Sequence, residues 1–185
     1  MKIVLPTFDQ FRRYLKRNDD VSKEPTMVDT ASFLSTKLPF KVPFIIDDRM
    51  GWDASEQAII LQAECNVMTV LHEAWHYFMS PRAMLKYNNY GLSIPVGGEG
   101  IQEEYKRDGD DEEEAVCYLT IATARKLRLP VTAIMEEADY ANLIEPFVQN
   151  RANARREYDA ILSLIKKRDL SRFGFDMVYS SPSKA

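Results

Sequence analysis

The residues of this chain most able to do chemistry are its only two histidines, His72 and His76, with Glu73 directly after the first. The stretch reads Val70-Leu71-His72-Glu73-Ala74-Trp75-His76-Tyr77-Phe78, a His-Glu-x-x-His pattern. On an α-helix, positions i and i+4 lie about 40° apart on one face. Both imidazoles can therefore reach one metal ion. Glu73 is turned roughly 100° from His72, so its carboxylate passes beside such an ion rather than onto it. A general base for a metal-bound water has to stand there.

This chemistry requires a helix, and the local sequence supplies one. No Gly or Pro occurs between Asp53 and Ser80, and Asn66 is a suitable N-cap. Val67, Val70, Leu71, Ala74, Tyr77 and Phe78 place apolar side chains around most of the circumference. A helix of that kind is buried. Buried imidazoles and a buried carboxylate are costly unless they are paired or metal-bound.

A catalytic zinc ordinarily takes three protein ligands and keeps one position open. No third histidine exists, so a carboxylate or a thiol must serve. The acidic run Asp108-Gly109-Asp110-Asp111-Glu112-Glu113-Glu114 opens a second long helix, where negative side chains also suit the helix N-terminus. Its spacing is not that of a calcium loop. The apolar phase Ala115, Val116, Leu119, Ala122 and Leu127 puts Glu112 on the inward face. Glu113 borders that face and Glu114 aligns with Cys117. Glu112 is the preferred third ligand, with Glu114, Glu113 and the Cys117 thiol as alternatives.

Other segments must position these residues. Residues 2–5 read as a short strand or an extended lead-in to Pro6. Thr7 looks like the cap of a helix bearing Phe8, Phe11, Tyr14 and Leu15. A helix over about 26–37 follows a polar loop, and residues 41–47 have strand composition, with Pro43 delaying the start. Residues 48–51 read as a turn. Residues 57–62 read as a second strand, ending shortly before the histidine helix. That strand is either a sheet edge beside a cleft, able to hold an extended peptide, or part of an ordinary hairpin packed on the core. Pro81 ends the histidine helix, and residues 82–108 read as a long loop. Helices are expected over about 110–127, 131–140 and 142–169. In the last, Arg151, Arg155, Arg156 and residues 166–168 form a solvated basic face.

Composition narrows the class. The chain has 185 residues, 45% hydrophobic and 28% charged, as expected of a single globular domain over 1–185. A net charge of −4 makes no case for nucleic acid. The apolar runs are too short for a membrane span, and the first residues too short for a secretory signal. Two cysteines do not make a disulfide framework. The expected location is the cytoplasm.

His72 to His76, then Glu112-Glu113-Glu114-Ala115, then Leu127-Arg128-Leu129-Pro130 together resemble the gluzincin metallopeptidases of the ImmA/IrrE type. The resemblance covers about residues 40–135. It implies an α+β, mainly helical, minimal zincin-like metallopeptidase domain, with a small sheet beside the His-Glu-x-x-His helix and the C-terminal helices (about 131–169) packed outside the metal-site core. Related gluzincins use the first Glu of the second motif as ligand, which again points to Glu112. Two positions depart from the family pattern: bulky Trp75 stands before the second histidine, and Val116 stands where Asn or Asp commonly follows Glu-Ala. The implied activity is a zinc-dependent endopeptidase with Zn2+ on His72, His76 and Glu112, and with Glu73 as general base on a protein or peptide substrate. Tyr77, Tyr87, Tyr90 and Tyr105 are available to the oxyanion. The alternative is a regulatory binding module on the same scaffold that acts on a protein partner and cleaves little or nothing.

Overall fold

Val70, Leu71, Ala74, Trp75 and Phe78 expose no more than 1% of their surface. The helix that carries them, α3 (Val67–Met79), therefore lies inside the molecule. The computed structural model describes residues 2–16, 26–88, 102–129, 147, 151–168 and 170–179, with the backbone alone at 102–111 and 151–152. The expected helix at 131–140 and most of 142–150 lie outside the described residues.

The fold is α+β, with small sheets grouped around α3. β1 (Lys2–Leu5) pairs in parallel with β7 (Asp176–Tyr179), Lys2 opposite Asp176 and Leu5 opposite Tyr179. Residues 2–5 are thus a strand, turning Ile3 and Leu5 inward. α1 (Phe8–Lys16) begins with a reciprocal cap: Gln10 N–H donates to Thr7 Oγ1 at 3.2 Å and Thr7 N–H to Gln10 Oε1 at 2.8 Å.

The helix expected over 26–37 is divided. β2 (Met27–Asp29) pairs antiparallel with β6 (Glu64–Asn66), and only α2 (Thr30–Thr36) is helical. Asp29 caps α2 by accepting from Ser32 N–H at 2.6 Å. A pairing across more than thirty positions outweighs the local helical pattern at 27–29.

β5 (Ala58–Leu61) is buried along its whole length and is the central strand of three. β3 (Phe44–Ile46) runs parallel to it on one side, and β4 (Gly51–Asp53) antiparallel on the other. β5 is therefore not an edge: both its rims are paired, and the outer strands are β3 and β4. The 48–51 turn gives way to a strand at its last residue. β3 begins after Pro43, whose carbonyl accepts from Ile59 N–H at 3.0 Å.

α4 (Gln102–Lys126) starts earlier than the acidic run suggested and packs lengthwise on α3. α5 (Arg151–Lys167) packs on α4 from the other side and leads into a 3-10 turn, Leu170–Phe173, before β7. No described helix is long and apolar enough to cross a membrane.

The start of the chain is tied to this core at one atom. The buried Pro6 carbonyl accepts from the Tyr118 hydroxyl at 2.7 Å and from the Tyr158 hydroxyl at 2.8 Å. Removing one hydroxyl leaves the carbonyl served by the other, so Tyr118→Phe or Tyr158→Phe should each cost about 1 kcal/mol. The double variant should cost more than their sum, because the carbonyl is then buried without either donor. Urea midpoints in a double-mutant cycle measure this; strict additivity would show that the two bonds are independent.

Candidate metal centre

α3 is placed from both ends. Asn66 caps it by accepting from Met68 N–H at 3.0 Å, and the Ser80 N–H closes it on the His76 carbonyl at 2.9 Å. Laterally, the Trp75 indole N–H donates to Thr123 Oγ1 of α4 at 3.0 Å. Its ring packs edge-on to Phe40 and Phe78, with centroids 5.5 and 5.7 Å away. The bulky residue before the second histidine is thus a packing anchor, turned from the imidazoles toward α4. Val116 is wholly buried in the same helix–helix core.

That packing brings three polar groups together. His72 Nε2 and His76 Nε2 are 2.8 Å apart. Glu113 Oε1 lies 3.3 Å from His72 Nε2, and Glu113 Oε2 lies 3.1 Å from His76 Nε2. Donors at roughly 2.0–2.2 Å from a tetrahedral metal stand about 3.3–3.6 Å from one another. The triangle already has nearly that size, and its chemistry, two imidazole nitrogens and a carboxylate, suits zinc among other divalent ions. Cys117, one turn beyond Glu113, adds a thiol: Sγ is 3.5 Å from Glu113 Oε1. His72, Glu113 and Cys117 each offer an atom within 4.8 Å of the others, so this group can hold a metal ion. His76 Nδ1 is buried without a partner among the described residues, so its ring is held from the Nε2 side.

Glu112, the carboxylate preferred from helix phase, does face inward, with 1% exposure. It meets other partners. Arg168 Nη2 donates to its Oε2 at 2.6 Å, and Ser80 Oγ to its Oε1 at 3.4 Å. The carboxylate on the imidazoles is that of Glu113, the residue at the border of the apolar face. Glu114 is half-buried. The basic run that ends in Arg168 reads as solvated in the sequence; only the fold carries Arg168 to Glu112, 56 positions away.

The electrostatics follow from enclosure. Burial, then the neighbouring His76, pushes the His72 pKa down to about 3, against the pull of Glu113. Burial works in the same direction on His76, but its hydrogen bond to Glu113 and the charges of Glu73, Glu113 and Glu112 outweigh it and raise its pKa. Burial alone would raise Glu113; the His76 bond and the two imidazoles hold it below the usual carboxylate range instead. Glu73 has no hydrogen-bond partner among the described residues. Burial raises its pKa, Glu113 adds to the rise and His76 opposes it. Tyr77 lies between Trp52 and Phe173, ring centroids 5.5 and 5.3 Å away, and Tyr87 is partly buried. Tyr90 and the Tyr105 side chain lie outside the described residues.

Among known proteins, no family model matches the chain, no curated protein matches it, and no solved structure matches it.

Glu113→Gln and Glu112→Gln should therefore fail differently. Glu113→Gln should lower metal affinity at least about tenfold, because it removes a donor charge, and should cost less stability than Glu112→Gln, because the Glu113 carboxylate it alters is partly exposed. Glu112→Gln should cost about 3 kcal/mol of stability by leaving Arg168 without its carboxylate. Metal titration and urea melts of both variants separate the two roles; metal loss confined to Glu112→Gln would return the ligand to that position.

Proposed function

We propose that the chain is a zinc-dependent endopeptidase acting on a protein or peptide substrate. The observation that carries this reading is the convergence of His72 Nε2, His76 Nε2 and the Glu113 carboxylate within 3.3 Å, with Glu73 beside them on the same helix. His72, His76 and Glu113 would hold the ion, with Glu113 in the place expected of Glu112. When bound there, zinc supplies Lewis acidity, polarising a carbonyl and lowering the pKa of water to about 7. The residues of the chain do the rest. Glu73 accepts a proton at its carboxylate and returns it to the leaving amine. Its raised pKa suits it to hold that proton between the two steps. The absence of another hydrogen-bond partner among the described residues leaves its oxygens available for the transfer.

A second reading is favoured by Cys117. A thiolate there would hold the ion with His72 and Glu113, whose ligand atoms lie within 4.8 Å of one another; were His76 to close on it as well, all four positions would be filled, and such a zinc is structural rather than catalytic. The chain would then be a metal-stabilised binding module for a protein partner.

Two substitutions separate these readings. For a peptidase, Glu73→Gln should keep about one zinc per chain and lose about 10²–10⁴-fold in cleavage, while Cys117→Ser keeps zinc. For a closed structural centre, Cys117→Ser should release zinc and Glu73→Gln should be silent. The measurements are metal content by mass spectrometry and a functional assay in the producing cell. A metal-replete Glu73→Gln protein with undiminished effect would end the peptidase reading.

A further inference from the structure

Where α3 ends, two cavities meet at Arg172. One, of about 410 Å3, has the cations Arg82, Lys86 and Arg172 in its wall. The other, of about 470 Å3, has Arg82, Lys167, Arg168 and Arg172. Arg82 and Arg172 line both, so the two are neighbours, taken together as a groove. Among the described residues that line it there is no Asp or Glu. In a chain of net charge −4, the cations on this depression, of which Arg168 is paired with Glu112, make a local field of the opposite sign.

Part of this charge has a structural use. Arg168 Nη2 holds Glu112, and Arg172 Nη2 donates to the Ser80 carbonyl at 2.7 Å, satisfying the C-terminal end of α3. Arg82, Lys86 and Lys167 are exposed, and capping does not account for them. The two cavities also differ. The first has apolar walls from Tyr77, Leu85 and Phe173, while the second is walled by Ser80, Pro81 and cations. Tyr77 and Phe173 are already packed on other rings, with Phe173 4.8 Å from Phe78 and 5.3 Å from Tyr77. They serve as a wall for an apolar side chain rather than as open faces for stacking a nucleobase. The groove also lies close to the histidines: His72, His76 and Ser80 follow at i, i+4 and i+8, so Ser80 is one helical turn, about 6 Å, beyond His76 on the same face.

We propose that this groove binds an acidic segment of a polypeptide, with an apolar side chain against Tyr77, Leu85 and Phe173 and carboxylates along Arg82, Arg172 and Lys167. Charge complementarity selects the occupant, and cations beside an apolar wall suit a stretch of chain better than a single anion. Calling that polypeptide a substrate rests on the peptidase reading; its binding does not.

The test is fluorescence anisotropy of a fluorescein-labelled peptide, a phenylalanine followed by a run of glutamates, on the full chain. Saturable binding is expected, falling with added salt. Arg82→Glu, Lys86→Glu and Lys167→Glu, each checked for folding by circular dichroism, should each weaken it at least about fivefold. The milder Arg82→Gln should weaken it less. The assay reads binding without cleavage, so a failed peptidase reading leaves this result standing. The proposal is overturned if the peptide does not bind, if its glutamine counterpart binds equally, or if the charge reversals have no effect. It is also overturned if an oligothymidylate binds more tightly at the same residues, which would make the occupant a nucleic acid.

Discussion

Two imidazoles and a carboxylate whose polar atoms lie within 3.3 Å of one another cannot stay in a protein interior without a proton or a metal ion among them. The two Nε2 atoms at 2.8 Å cannot both carry a proton toward each other. Several contacts of α3 hold this group in place. Trp75 sets how α4 lies against α3 by reaching Thr123, ten positions beyond Glu113. Asn66 and Ser80 fix where α3 starts and stops.

The neighbouring Glu112–Arg168 pair holds the site from behind. A buried ion pair contributes little net stability against an apolar replacement, since the desolvation of both charges offsets their attraction. Its value is geometric. It joins the end of the last long helix to the residue next to Glu113, and Ser80 joins the same carboxylate to the end of α3. Three segments distant in sequence are thus tied at one carboxylate. Arg172 makes a second tie to Ser80 through the backbone.

The two departures from the gluzincin pattern have packing explanations. Trp75 and Val116 are both wholly buried in the core, and Trp75 reaches from α3 to Thr123 of α4. The Trp75 indole is bonded to Thr123 and packed on Phe40, so its bulk by itself does not argue against a metal at the imidazoles. What weighs on the character of the centre is Cys117, whose thiol stands one turn from Glu113.

Much was legible in the sequence where a periodic pattern or a cap determines the outcome locally. The i, i+4 histidines, the Asn66 cap and the all-round apolar surface specify a buried helix with both imidazoles on one face, and Thr7 specifies the start of α1. The short strands were less legible. β2, β4, β6 and β7 have three or four residues each, and such segments become strands only by pairing with partners that local pattern does not reveal. β5 read correctly as a strand, but not its place in the sheet, because edge and centre differ only in what lies alongside. The carboxylate on the histidines was decided by tertiary structure alone. Glu112 and Glu113 are only 100° apart on α4, and the inward face is wide enough to admit both. Which of them meets the imidazoles depends on the rotation of α4 against α3. That rotation is set by Trp75 on Thr123 and by Arg168 on Glu112, contacts across 48 and 56 positions that no local pattern contains.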